Sequence, residues 1–126
     1  MGTLTRLQPD ERVWLDPDCL VALYAQLGES GAEQVILRAA AELSYRLEDA
    51  DRLARSGRNE ALESNLRLIS KMAQQIGMQS VAQVAGDVLA AVRSRDRTAQ
   101  AATLARLARI GHRSLTAASD LRDMTL

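Results

Sequence analysis

The spacing of apolar residues is the feature that most constrains this chain, because after residue 17 it follows the period of an α-helix. Apolar side chains recur at intervals of three and four residues. Proline, the strongest helix breaker, occurs only at Pro9 and Pro17. Alanine, leucine, arginine, glutamate and glutamine are abundant, and all of them favour helix. The chain is therefore predicted to be all-α.

Helix boundaries are indicated by capping residues and glycines. Asp16 is predicted to cap a short first helix that has Pro17 at its first position and ends at Gly28. Four long helices are predicted to follow, with starting signals at Ser30, Asn59, Ser80 and Asp96. The side chains predicted to face the core include Ile36, Ala40, Leu43 and Leu47; Leu62, Leu66, Ile69, Ala73 and Ile76; Val81, Val84, Ala85, Val88 and Val92; and Ala101, Leu104, Ala105, Ala108 and Leu115.

Short connections between the long helices predict how they are arranged. A turn of a few residues between two amphipathic helices places them antiparallel and side by side. The predicted architecture is an antiparallel up-down-up-down four-helix bundle over residues 16–118, with the short extra helix at its N-terminal end. Residues 1–15 are interpreted as an N-terminal arm and residues 119–126 as a C-terminal tail.

Charge and hydropathy exclude several classes of partner. Sixteen Lys and Arg residues balance 16 Asp and Glu residues, so the formal net charge is +0. This balance disfavours binding to nucleic acid or to an anionic membrane through bulk charge, and neither is expected as a partner. No apolar run approaches the ~18 residues that a membrane span needs, and the first residues contain no signal-peptide core. Because the chain has a single cysteine, a compartment that does not rely on disulfides, most simply the cytoplasm, is expected.

Few residues are suited to catalysis or to holding a cofactor. The single histidine, His112, is interpreted as a helix residue that is favourable near the C-terminal end of the helix dipole. The single cysteine, Cys19, excludes an internal disulfide and is interpreted as a small apolar filler. The acidic residues around the second turn lack the Glu-x-x-His pattern of di-iron bundles and are interpreted as solvated: Asp49, Asp51, Glu60 and Glu63. We therefore expect no catalytic residue, no metal and no cofactor.

The segment 64–77 combines an apolar face with an unusual polar face. Its helical period turns Leu66, Ile69, Ala73 and Ile76 inward. Small residues in this helix and the next let the two helices approach closely and leave a smooth outer surface. The polar side chains of this segment are predicted to face outward or to lie at the rim, with Asn65 and Gln75 further round the helix. Five of them are the candidate partner-binding residues: Arg67, Ser70, Lys71, Gln74 and Gln75. The alternative interpretation is an ordinary solvated helix face.

Over roughly residues 15–115 the chain resembles a histidine-containing phosphotransfer (HPt) domain. Leu15-Asp16-Pro17-Asp18-Cys19-Leu20 is similar to the family's opening helix. The long helix over 31–56 and the break at 56–59 match the family's spacing, and Arg95-Asp96 resembles the turn before its last helix. The resemblance implies an HPt-like helical bundle that acts in phosphorelay signalling.

The phosphoacceptor of the family is missing from the matching segment. The family motif is H-x-L-K-G-x5-G, and aligning its last glycine with Gly77 places Arg67 at the histidine. In that frame Ser70 falls on the lysine and Lys71 on the glycine, whereas a shift by one residue places Leu68 on the histidine. Arginine stays protonated and cannot act as the nucleophile that accepts a phosphoryl group. The resemblance therefore implies a degenerate member of the family.

Three hypotheses follow from these residues. The first is a non-catalytic interaction module that docks a response-regulator receiver domain or a histidine kinase without carrying phosphate. The second is a structural helical protein that forms a homodimer through the small-residue faces of its last two helices and the arm 1–15. The third is a phosphotransfer protein that uses the atypical histidine, His112.

Overall fold

Four α-helices make up most of the part of the chain that the structure describes. The computed structural model describes residues 15–124, with side chains as far as Asp120. The helices are α1 (Pro17–Arg55), α2 (Asn59–Gln75), α3 (Gln79–Arg93) and α4 (Arg97–Met124). Between residues 15 and 124 there is no strand, only an isolated bridge between Leu15 and Met78. The prediction of an all-α fold is confirmed for these residues.

The boundaries of the predicted arm and tail are only partly described. The arm lies outside the described residues except for Leu15, which packs against the core. The backbone N–H of Asp16 donates to the carbonyl of Gly77 over 2.7 Å, so the chain enters the bundle at the α2–α3 turn. Helix α4 continues to Met124, into the segment 119–126 that was interpreted as a tail.

The predicted short first helix and first long helix form one kinked element, α1. Gly28 has φ 75° and ψ 172°, which is not a helical conformation, and helix lies on both sides of it. Glycine adopts this positive φ at little steric cost. The Asp16 side chain accepts a hydrogen bond from the Asp18 backbone N–H over 3.0 Å, which confirms the predicted N-cap.

The predicted caps of α2 and α3 are wrong. Asn59 is the first residue of α2 and Ser80 lies inside α3, and the residues in the two cap positions make no side-chain capping bond. Backbone hydrogen bonds close the preceding turns instead, because Gly57 and Gly77 have positive φ. The predicted cap of α4 is confirmed, since Asp96 Oδ1 accepts the backbone N–H of Ala99 over 3.0 Å.

The helices pack around a shared apolar core. Helix α1 contacts α2 and α4, and α3 contacts the same two helices, which makes the described residues a helical bundle. The core-facing residues predicted for α2 and the valines predicted for α3 are buried. None of the described helices contains a stretch both long and apolar enough to cross a membrane.

The core face predicted for α4 is partly wrong. Ala101, Ala105 and Ala108 are exposed, whereas Leu107 and Ile110 are each only 1% exposed. Alanines occur on every side of this helix, so their spacing does not distinguish a buried face. The larger apolar side chains determine which face packs, because they remove more apolar area from water.

Candidate docking face on the second and third helices

Helix α2 presents one apolar face to the bundle and one polar face to solvent. Leu66 and Ile69 are buried, whereas Arg67, Lys71 and Gln74 are exposed. The outward position predicted for Asn65 is wrong, because this residue is only 4% exposed and its Nδ2 donates to the Arg46 carbonyl of α1 over 2.8 Å. The Arg67 side chain retains 52% of its accessible surface. This sidedness follows from the helical period, because a residue at the next position points about 100° away around the axis. Arg67 therefore projects from the bundle in the middle of α2.

An open groove of about 240 Å³ lies between α2 and α3. Its lining comprises Leu66, Arg67, Ser70, Lys71, Gln74, Ala85, Gly86 and Leu89. The structure thus brings four of the predicted partner-binding residues to one groove: Arg67, Ser70, Lys71 and Gln74. Gln75 does not line it, and its carbonyl accepts a hydrogen bond from Cys19 Sγ over 3.3 Å, next to the start of α1.

The sequence prediction missed an ion-pair cluster beside the groove. Arg67 Nη2 and Arg93 Nε each lie 3.4 Å from the same carboxylate oxygen, Glu63 Oε1. One carboxylate is thus shared between a guanidinium from α2 and a guanidinium from α3. The pair of Glu63 with Arg67 could have been predicted from sequence, because oppositely charged residues four apart are neighbours on a helix. Arg93 is distant in sequence, and only the packing of α3 against α2 brings it there.

The groove itself has a cationic rim. Arg67 and Lys71 are both in its lining, and no acidic side chain is among the described residues that line it. Lys71 makes no ion pair with any residue whose side chain the structure describes. Two like charges one turn apart repel each other modestly, so an anionic group brought to this rim would be favourably placed.

The floor of the groove consists of apolar and small residues. Ala85 is buried and Leu89 is half-buried, whereas Gly86 is exposed. A Cβ atom added at Gly86 would contact nothing within 4 Å. Ala85 is part of the packed core, but Gly86 does not serve the packing of α2 on α3.

His112 and Cys19 lie outside the groove. His112 is exposed on α4, and its backbone carbonyl accepts a hydrogen bond from Thr116 Oγ1 over 3.0 Å. Cys19 is half-buried, and its burial, together with the nearby negative charge of Asp16, raises the pKa of the thiol. A raised pKa keeps Cys19 in its less nucleophilic thiol form at neutral pH.

Two of the acidic residues around the second turn, Asp49 and Asp51, pair with arginines of their own helix. Asp49 bonds Arg52, and Asp51 bonds Arg55. Among the described side chains, no group of three or more His, Cys, Asp or Glu residues is placed to hold a metal ion.

Comparison of the chain with protein-family models, curated proteins and solved structures finds no match.

Proposed function

We propose that this chain is a non-catalytic, HPt-like interaction module of two-component signalling. In this proposal it docks a response-regulator receiver domain or a histidine kinase through the α2–α3 groove and carries no phosphate. The principal supporting observation is the gathering of Arg67, Ser70, Lys71 and Gln74 along one open groove. The alternative interpretation, an ordinary solvated helix face, gives no reason for a groove to lie beside these polar residues.

An HPt-like arrangement of the bundle is part of the proposal. Turns of a few residues join α1 to α2, α2 to α3 and α3 to α4, and each of these pairs is in contact. Such connections favour antiparallel neighbours. With α2 in the place of the family's phosphoacceptor helix, Arg67 takes the position of the histidine.

The chemistry of Arg67 supports docking rather than phosphotransfer. A guanidinium remains protonated and has no free nitrogen lone pair with which to attack a phosphoryl group. It does form strong charge-assisted hydrogen bonds with carboxylates. Arg67 is thus suited to pairing with an acidic partner surface.

The test is isothermal titration calorimetry of the chain with purified receiver domains and with histidine-kinase dimerisation domains. Arg67→Glu is expected to weaken a detected interaction by at least about tenfold, because reversing a charge at an interface adds repulsion to the lost attraction. Arg58→Glu, an exposed change in the α1–α2 turn, is the matched control. Equal affinities of Arg67→Glu and the unmodified chain would show that this face is not the docking face.

Homodimerisation is the second candidate, and the exposed alanines of α4 favour it. Ala101, Ala105 and Ala108 form an exposed small-residue face to which another helix can pack closely. Sedimentation velocity at micromolar concentration distinguishes this function. A concentration-dependent dimer that Ala105→Glu dissociates is expected if it is correct, and a monomer at every concentration contradicts it.

Phosphotransfer through His112 is tested in the same preparations. The imidazole is exposed, so a phosphorylated receiver has access to it. Incubation with such a receiver is expected to leave no acid-labile phosphate on the chain if docking is the function. A label that disappears in His112→Ala would establish phosphotransfer instead.

A further inference from the structure

We infer that the α2–α3 groove holds one α-helix of the partner protein, a helix with a stripe of small apolar side chains flanked by carboxylates. The inference rests on the proposed docking function and specifies the structural element that this groove recognises.

Gly86 has no structural role within the described part of the chain. It occupies an exposed interior position of α3, where glycine is less favourable than alanine. Its φ is not positive, and an added Cβ would touch no neighbour within 4 Å. The missing side chain therefore affects the outer surface of α3. Its absence deepens the groove at Gly86 and lets the backbone of a partner approach α3.

The walls of the groove favour a helix over an extended strand. Both walls are helices, whose backbone N–H and C=O groups in the helix interior are already paired within the helix. A strand binds by pairing with an unpaired sheet edge, which this groove does not offer. A channel between two helices accepts the side-chain ridge of a third helix. The floor formed by Leu66, Ala85 and Leu89 requires that ridge to be apolar.

The positive charge of the groove's rim determines which side chains flank the apolar stripe of the bound helix. Arg67 and Lys71 lie one turn apart on the same wall. Arg67 shares the Glu63 carboxylate with Arg93, and Lys71 has no ion pair with a described side chain, so the positive charges at this rim outnumber the negative ones. Acidic residues spaced one turn apart on a bound helix match this pair. A basic helix would be repelled from the same position.

Glu63 competes with the partner for Arg67. The Glu63 carboxylate holds Arg67 and Arg93 at 3.4 Å each, and the Arg67 side chain is about half exposed. An exposed pair of this kind contributes little to stability, so a partner carboxylate can replace Glu63 at little cost. Removing the charge of Glu63 should therefore strengthen binding.

The experiment uses the full chain and two synthetic helical peptides. Both are stapled and present an Ala/Leu stripe; one has glutamates one turn apart on its flank, and the other has lysines at the same positions. Affinity is measured by fluorescence anisotropy at low and high salt, and the site is located by ¹⁵N chemical-shift changes. The acidic peptide is expected to bind at least about tenfold more tightly at low salt, with shifts centred on Lys71, Gly86 and Leu89.

Three variants test the individual contacts. Gly86→Leu fills the groove and should reduce acidic-peptide affinity by at least about tenfold without loss of thermal stability. Ala105→Leu adds similar bulk on an exposed face of α4 that does not line the groove, and should leave affinity unchanged. Glu63→Gln should raise affinity about threefold, as expected for release of an exposed ion pair.

The possible failures are distinguishable. Equal binding of the two peptides, or shifts centred away from α3, overturns the inference. If a receiver or kinase binds the chain but Gly86→Leu does not weaken it, the docking function stands and the groove assignment is wrong. If the acidic peptide binds in the groove while every receiver and kinase fails to bind, the assignment stands and the proposed function is wrong. A dimer of the chain that Gly86→Leu dissociates would identify a second copy as the occupant and overturn the inference.

Discussion

At the scale of single residues, most polar side chains of the groove are exposed to solvent, but one hydroxyl group of α4 is buried and has no hydrogen-bond partner between residues 15 and 120. Arg67 and Lys71 are exposed at the groove, and Glu63 is shared between two arginines. By contrast, Ser114 is 0% exposed, and its hydroxyl oxygen has no hydrogen-bond partner among the described residues. A buried hydroxyl without a partner loses its hydration without compensation.

Replacing Ser114 with alanine is therefore expected to stabilise the chain. The gain should be about 1 kcal/mol in the free energy of unfolding, because the desolvated hydroxyl is removed and alanine favours helix. Urea denaturation followed by circular dichroism measures it. Ser119→Ala, in an exposed position of the same helix, is the control for helix propensity alone. A gain for Ser114→Ala no larger than that of the control would contradict this explanation.

At the scale of elements, the helix ends depend on backbone conformation more than on capping side chains. Gly57 and Gly77 have positive φ at the turns after α1 and α2. The turn after α3 has the same kind of backbone hydrogen bonds, with Asp96 N–H donating to the carbonyl of Ala91 over 3.1 Å. There the residue with positive φ is Arg95, at 58°. An L-residue other than glycine is disfavoured in this conformation by roughly 1 kcal/mol.

Arg95→Gly is expected to raise the free energy of unfolding by roughly 0.5–1 kcal/mol, because glycine relieves the steric cost of positive φ. Ser94→Gly is the matched control. Ser94 has an ordinary right-handed conformation, and its hydroxyl donates to the Ala91 carbonyl over 3.2 Å. Glycine there should lower stability, because it adds backbone entropy to the unfolded state and removes this hydrogen bond. Thermal unfolding of both variants measures the difference, and a loss of stability in Arg95→Gly would disprove the interpretation.

At the scale of the whole molecule, α1 and α4 approach closely at Gly111. This glycine is buried, and an added Cβ would lie 2.6 Å from Leu47 Cδ1. Such a distance is shorter than a van der Waals contact, so the Leu47 side chain would have to move. The position differs from Gly86, where an added Cβ meets nothing.

The two glycines therefore respond differently to alanine. Gly86→Ala should gain roughly 0.5–1 kcal/mol of stability from helix propensity. Gly111→Ala should gain less or lose stability, because overpacking opposes the same propensity gain. In a Leu47→Ala background the Gly111→Ala change should become more favourable by at least about 0.5 kcal/mol, which a double-mutant cycle in urea measures. Additive effects would show that the two residues do not constrain each other.

The sequence allowed the helical class and most of the core to be predicted, because apolar side chains at helical spacing must face a common interior. Leu62, Leu66 and Ile69 were predicted in this way and are buried. Leu107 and Ile110 were missed, since alanines on every side of α4 obscure its buried face. The caps predicted for α2 and α3 were wrong, because a turn closed by backbone hydrogen bonds needs no capping side chain.

For the candidate site, local spacing determined that Arg67, Ser70, Lys71 and Gln74 share one face of α2, since residues three and four apart lie together on a helix. It did not determine that a groove runs beside them, that Arg93 reaches Glu63, or that Gly86 lies open on its floor. Those features depend on how α3 lies against α2. The packing of two helices is decided by side chains far apart in the chain, and helical periodicity records only which face of each helix is turned inward.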